Sequence, residues 1–226
     1  MTTGIYANHR ENQRERIRQI AEDLFIQNGI QSVTIADIAN AAQLTCATLY
    51  KYFSSKEHMA QEIFKIVTRG WVERNEREVW DVSGNGYEFV ERFVTSHFNY
   101  LFENSREARF VAEFNYLYAK EWPVETAMKI FAENLEGERE RLLDCIRQGH
   151  ADGSIRTDIA PELILAAIFN FNNGMLDRFG EMGAKVEGEY GISVQTIFTQ
   201  VYRVFLDGLK AHSNHEEVSL TKSQYA

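Results

Sequence analysis

The chain has 226 residues, 44% hydrophobic and 25% charged, with two prolines, two cysteines and a formal net charge of −9. It holds no apolar run of about 18 residues or more, and its N-terminus lacks a signal-like apolar stretch, so a membrane span and export are not expected. Cys46 and Cys145 fall in separate parts of the chain, which argues against a structural disulfide and agrees with a cytoplasmic setting.

Residues 1–15 form a polar arm, with a solvated terminus expected over 1–8. Arg10 and Arg14 lie near the start of the first helix. Ile17, Ile20, Ala21, Leu24 and Phe25 then recur at helical spacing as one apolar stripe, and Gly29 is placed to end that helix.

From Thr34 to Glu57 the chain reads as two short helices on a tight turn, then the start of a third. Thr34 with Asp37 makes a capping-box-like pair, and Ala41 to Leu44 form the turn. Thr45 caps the second helix, while Ser54 with Glu57 repeats the box for the helix after it. This is a helix-turn-helix pattern, in which the second helix enters the major groove of DNA. With Leu49 and Ala42 facing inward, Cys46, Ala47 and Thr48 are small enough to approach base edges. Thr34 stands at the entry to the motif. Thr45, Tyr50, Lys51, Tyr52 and Lys56 supply donors for phosphate oxygens.

The stretch from Arg16 to Met59 resembles the DNA-binding domain of the TetR family of bacterial transcriptional regulators. The resemblance rests on Leu24-Phe25, Asn28-Gly29, Thr34-Ile35, Asp37-Ile38-Ala39, Ala42 to Thr45, Thr48-Leu49-Tyr50, Tyr52-Phe53 and Ser55-Lys56-Glu57, in order and at family spacing. Cys46 departs from the family, which often has a basic or other polar residue there, so operator preference is left open. The rest of the chain matches the family only in helical style and length.

Charge qualifies the DNA reading. Residues 1–60 hold six Lys/Arg and six Asp/Glu, so the whole deficit of nine falls on residues 61–226. Binding through few phosphate contacts, with marked salt sensitivity, is the expectation.

Beyond the motif, a fourth helix is expected from about Ser54 to Trp80, broken by Ser83 to Gly86. A fifth spans about Tyr87 to Glu103, a sixth Arg106 to Lys120, a seventh Pro123 to His150, an eighth Pro161 to Met182 and a ninth Ser193 to Ala211. Gly180 to Gly191 reads as a mobile acidic loop and 212–226 as a disordered tail. The fold class is therefore all-α, about nine helices in all. A three-helix DNA-binding domain (1–53) precedes a larger helical bundle for effector binding and dimerisation (54–211).

The bundle is rich in aromatic residues, most simply as plain core. The resemblance implies a small-molecule pocket there, with Trp71, Phe93, His97, Tyr100, Phe114, Tyr118, Phe169, Asn172 and Asn173 as candidates; Glu113 and Asn115 are further polar groups. Helices eight and nine are apolar over more than one stripe. In the family the corresponding pair forms a homodimer interface, for which Ile164, Ile168, Phe171, Met175, Ile197, Val201 and Phe205 are candidates.

No glycine-rich phosphate loop, HExxH or CxxC occurs, no nucleophile–base pair can be nominated, and His212 and His215 lack further metal ligands. No enzyme activity, cofactor, metal or membrane partner is expected. The reading is a ligand-responsive regulator, most simply a repressor, that binds a pseudo-palindromic duplex operator as a homodimer and is released by a small molecule. An activator, a ligand-independent factor or a helical interaction protein are the alternatives.

Overall fold

The computed structural model describes residues 2–121 and 124–211, with nine α-helices and no extended strand among them. The helices are α1 (Thr2–Asn28), α2 (Ile35–Ala41), α3 (Cys46–Leu49), α4 (Lys56–Asn75), α5 (Gly86–Glu103), α6 (Ser105–Glu121), α7 (Val124–Asp152), α8 (Pro161–Tyr190) and α9 (Val194–Asp207). None is long and apolar enough to cross a membrane. Pro123, expected in the first turn of the seventh helix, and the tail from His212 lie outside the described residues.

Two apolar cores organise the chain. The first is built on Ile17, Ala21 and Phe25 of α1, Ile38 of α2 and Leu49 of α3, and it is closed by Met59, Ile63 and Phe64 of α4. Phe110, Phe114 and Tyr118 of α6 join it. The second gathers Trp71, Phe93, Leu142, Ile146, Ile164, Ile168, Phe198 and Leu206 from α4, α5, α7, α8 and α9. Helix α4 thus serves both cores, first with Met59 to Val67 and then with Trp71. Its buried residues advance in steps of four, each overshooting a 3.6-residue turn by about 40°. A π-helical turn over Glu76–Trp80 takes up that drift and brings Val79 fully into the second core.

Three expectations need correction. The N-terminal arm is helical from Thr2, one continuous helix with the stripe that seats the head. The cap of α4 is Ser55, whose hydroxyl accepts from the His58 amide, whereas Ser54 bonds the His58 ring at 3.1 Å. The second helix of the motif, expected to be short, is a single turn, Cys46–Leu49. Finally, the segment expected to be a loop from Gly180 continues α8 to Tyr190. A helix tolerates glycine at a cost of about 1 kcal/mol each. It stops only at Gly191, in the left-handed conformation at φ +63°.

Candidate nucleic-acid interface and the body that carries it

Each corner of the head is closed by a local hydrogen bond. The Thr34 hydroxyl accepts from the Asp37 amide at 3.2 Å, and the Asp37 carboxylate accepts from the Thr34 amide at 2.9 Å. The Thr34 hydroxyl and backbone together hold the Asp37 carboxyl below the usual aspartate range. Between α2 and α3 the chain reverses through Gln43, at φ +57°, and the Leu44 amide returns to the Ala39 carbonyl at 2.8 Å. Thr45 caps α3 by accepting from the Thr48 amide at 3.1 Å, and the two threonine hydroxyls bond each other at 2.9 Å.

With Ala42, Leu49 and Phe53 buried, the motif presents Cys46, Ala47, Tyr50 and Lys51 to solvent, beside a half-buried Thr48. These side chains form a small-residue tip at the start of α3 and a Tyr–Lys edge at its end. Arg10 of α1 reaches that edge, its guanidinium 3.4 Å from the Lys51 carbonyl. Tyr52 is half-buried against the head core, so much of it is packing.

Lys56 is occupied differently from the expectation. Its ammonium donates to the carbonyls of Ile30 (2.9 Å), Val33 (3.0 Å) and Gln31 (3.4 Å), pinning the loop after α1. Its role is structural, because those carbonyls, rather than a phosphate, receive its protons. Arg14 is likewise engaged, paired with Glu62 and stacked over the Phe53 ring at 4.8 Å.

Glu113, read from sequence as a polar group of the pocket, instead joins body to head. Its carboxylate accepts from the amides of Ile30 at 2.8 Å and Gln31 at 3.0 Å. Gly29, at φ +84°, turns the chain there; a Cβ at that position would sit 3.1 Å from the carboxylate. Phe110 stacks on Phe25 (6.4 Å) and Phe114 on Phe64 (4.4 Å) along the same seam. Phe114 and Tyr118, expected to line the pocket, are buried at the head–body contact.

The remaining pocket candidates separate. Trp71, Phe93, His97 and Phe169 come together: Trp71 meets Phe93 at 5.4 Å and His97 at 5.0 Å, and Phe93 meets Phe169 at 6.0 Å. The Tyr100 hydroxyl donates to the Val67 carbonyl at 3.0 Å, Asn172 accepts from Tyr202 at 2.9 Å, and Asn173 is exposed. Of the interface candidates, Ile164 and Ile168 are fully buried in their own domain and cannot face a partner. Phe171, Met175, Ile197, Val201 and Phe205 are half-buried, with Phe171 and Phe205 stacked at 4.5 Å. Leu163 and Val204 are 64% and 73% exposed; Leu163 was not singled out from the sequence, although it lies on a helix whose apolar residues exceed one stripe.

A profile described as "Bacterial regulatory proteins, tetR family" matches residues 17–63, the span from α1 into α4. Residues 17–63 form a TetR-family DNA-binding domain. It is 27% identical over 210 residues to the HTH-type transcriptional repressor KstR2 of Rhodococcus jostii, covering 91% of this chain and 95% of that protein. In structure it resembles the ketosteroid transcriptional regulator KstR2 of Mycobacterium tuberculosis, with a TM-score of 0.64, 20% identity and coverage of 88% and 95%. It also resembles the regulator FadR of Bacillus subtilis in complex with stearoyl-CoA, with a TM-score of 0.65, 20% identity and coverage of 86% and 98%. The TetR fold thus extends over both head and body, whereas the family signature is confined to the head.

Proposed function

We propose that this TetR-family regulator represses transcription by binding a pseudo-palindromic operator as a homodimer, and that a small hydrophobic molecule in the body releases it. The observation that carries the reading is the one-turn α3, capped by Thr45 and presenting Cys46, Ala47 and Thr48 at its tip with Tyr50 and Lys51 at its edge. Small side chains let a helix start approach base edges, and the Tyr–Lys edge supplies phosphate donors. Repression is supported by KstR2, a named repressor that aligns along nearly the whole chain. An apolar effector is supported by the aromatic cluster around Phe93 and by the stearoyl-CoA held by the FadR relative.

For the dimer, Phe171, Met175, Ile197, Val201 and Phe205, with exposed Leu163 and Val204, form the apolar surface of α8 and α9. A homodimer paired there would present two recognition helices to half-sites one turn of duplex apart, about 34–36 Å. Helix α4 and the Glu113 seam connect the aromatic cluster to the head. A ligand that favours one arrangement of that seam shifts operator affinity by no more than its differential affinity for the two states.

Gel-shift titration against the DNA upstream of the protein's own gene tests this reading, with salt varied. Lys51→Ala is expected to weaken binding and to lower the slope of log K against log salt by about one per subunit. Lys56→Ala is expected to leave that slope unchanged while destabilising the head, because its ammonium serves carbonyls. A wild-type slope of zero, or no sequence-specific site from random-site selection, would overturn the proposal.

A further inference from the structure

Among the described residues, the buried side-chain polar atoms without a hydrogen-bond partner are Trp71 Nε1, both ring nitrogens of His97, Arg92 Nε and His150 Nε2. Two of these residues touch. The Trp71 and His97 rings lie 5.0 Å apart and nearly perpendicular, one from α4 and one from α5. Arg92 is a weaker case, since its Nη2 donates to the Ser83 carbonyl and its guanidinium lies over Phe89.

One helical turn along α4, Asn75 sits in a hydrogen-bonded buried network with α5 and α7. Ser96 donates to Asn75 at 2.9 Å, Asn75 donates to Glu138 at 2.6 Å, and Trp80 donates to Glu138 at 3.0 Å. Burial raises the Glu138 carboxyl above the usual glutamate range, although both donors lower it. A fold able to complete that network leaves three nitrogens unmatched beside it. Each unmatched group carries the desolvation cost of a buried polar atom, which a phenylalanine in its place would avoid.

Trp71 is only 6% exposed. His97 keeps some surface open, but both its nitrogens are covered. Burial alone pushes His97 down to about 4, with no charged group contributing, so the ring is neutral near pH 7. It therefore offers one N–H and one lone pair. No charged group acts on the imidazole itself, and the guanidinium of Arg139 lies over the far ring, Phe169, at 5.6 Å.

We infer that Trp71 and His97 bind the oxygen of an uncharged, mainly apolar ligand, a ketone or an alcohol. The indole N–H donates to that oxygen and the imidazole forms a second hydrogen bond. Phe93 and Phe169 pack the carbon skeleton alongside. This rests on the reading of the body as an effector domain, and it specifies the chemistry that the domain selects.

The test uses the full-length protein and two probes of one shape, acetophenone and α-methylstyrene, in which a methylene group replaces the carbonyl oxygen. The three tryptophans give separate indole signals in a ¹H–¹⁵N correlation spectrum. Trp71→Phe assigns the signal of interest, and Trp80→Phe with Trp122→Phe assigns it by elimination should that variant not fold. Acetophenone is expected to bind about fivefold tighter than its isostere, the worth of one hydrogen bond, and to move the Trp71 indole proton downfield. The hydrocarbon should perturb Phe93 and Phe169 and leave that proton in place. In His97→Phe the preference should fall toward one.

Equal binding of both probes with a still indole signal overturns the oxygen-binding role and leaves the ligand site standing. An indole proton already at its hydrogen-bonded position in the free protein also overturns it, because buried water then satisfies the group. If neither probe disturbs Trp71, Phe93 or Phe169, the effector-domain reading itself fails.

Discussion

In the head, Thr34, Thr45 and Ser55 each give a side-chain oxygen to the first turn of a helix, and Lys56 closes the carbonyls that end the preceding loop. In the body, Trp71 and His97 bring three nitrogens into the protein with nothing to bond. None of the unpartnered buried side-chain atoms among the described residues lies in the head. A reader of DNA must hold one geometry, so its polar groups are matched internally. A responder needs a state that improves when something arrives, and unmatched groups provide the free energy for that improvement. The seam at Glu113 is where the two meet, a body carboxylate completing two head amides.

The largest expected effect breaks the rigid side of this contrast. Leu49 is fully buried where α3 meets the head core, so Leu49→Ala should destabilise the head by about 2–5 kcal/mol. Urea unfolding followed by circular dichroism, with operator binding measured in parallel, checks it. A change below the lower figure would mean that α3 is only loosely seated on the core.

The seam comes next. Removing the carboxylate in Glu113→Ala strands the Ile30 amide and leaves the exposed Gln31 amide to water, and hydrogen bonds to charged groups contribute about 1.5–3 kcal/mol. The expected result is faster hydrogen exchange at those two amides together with a smaller operator response to acetophenone or to any inducer later found. Unchanged exchange would show that head and body are held by the Phe25–Phe110 and Phe64–Phe114 stacks instead.

How far each region could be read from sequence follows the same division. The caps were legible because donor and acceptor lie three residues apart, Thr34 with Asp37 and Thr45 with Thr48. The Ser54–Ser55 ambiguity was not, since adjacent serines offer the same chemistry and only the helix start chooses between them. Lys56 read as a free cation because its carbonyl partners, Ile30 and Val33, lie more than twenty residues earlier. Glu113 was out of reach for the same reason, with its amides more than eighty residues away. On α8, an apolar surface wider than one stripe says that two sides are covered without saying which is which. Ile164 and Ile168 went inward, while Leu163 stayed exposed.

The smallest expected effect at neutral pH is in the body, and acid enlarges it. His97→Phe removes two nitrogens that bond to nothing and keeps a ring against Trp71, so near pH 7 it should cost less than about 1 kcal/mol or raise stability. Below the ordinary histidine value of 6.5 the two proteins diverge. The unfolded wild-type chain takes up a proton there, while the folded one, with His97 held near 4, does not. Native stability therefore falls as pH drops from about 6.5 to about 4 and levels off below, and the phenylalanine variant lacks that loss. Subtracting the two unfolding curves cancels every other titrating group that the substitution leaves alone. If the difference stays flat across that window, His97 has a proton-sharing partner in solution, and the contrast between a matched head and an unmatched body loses its clearest member.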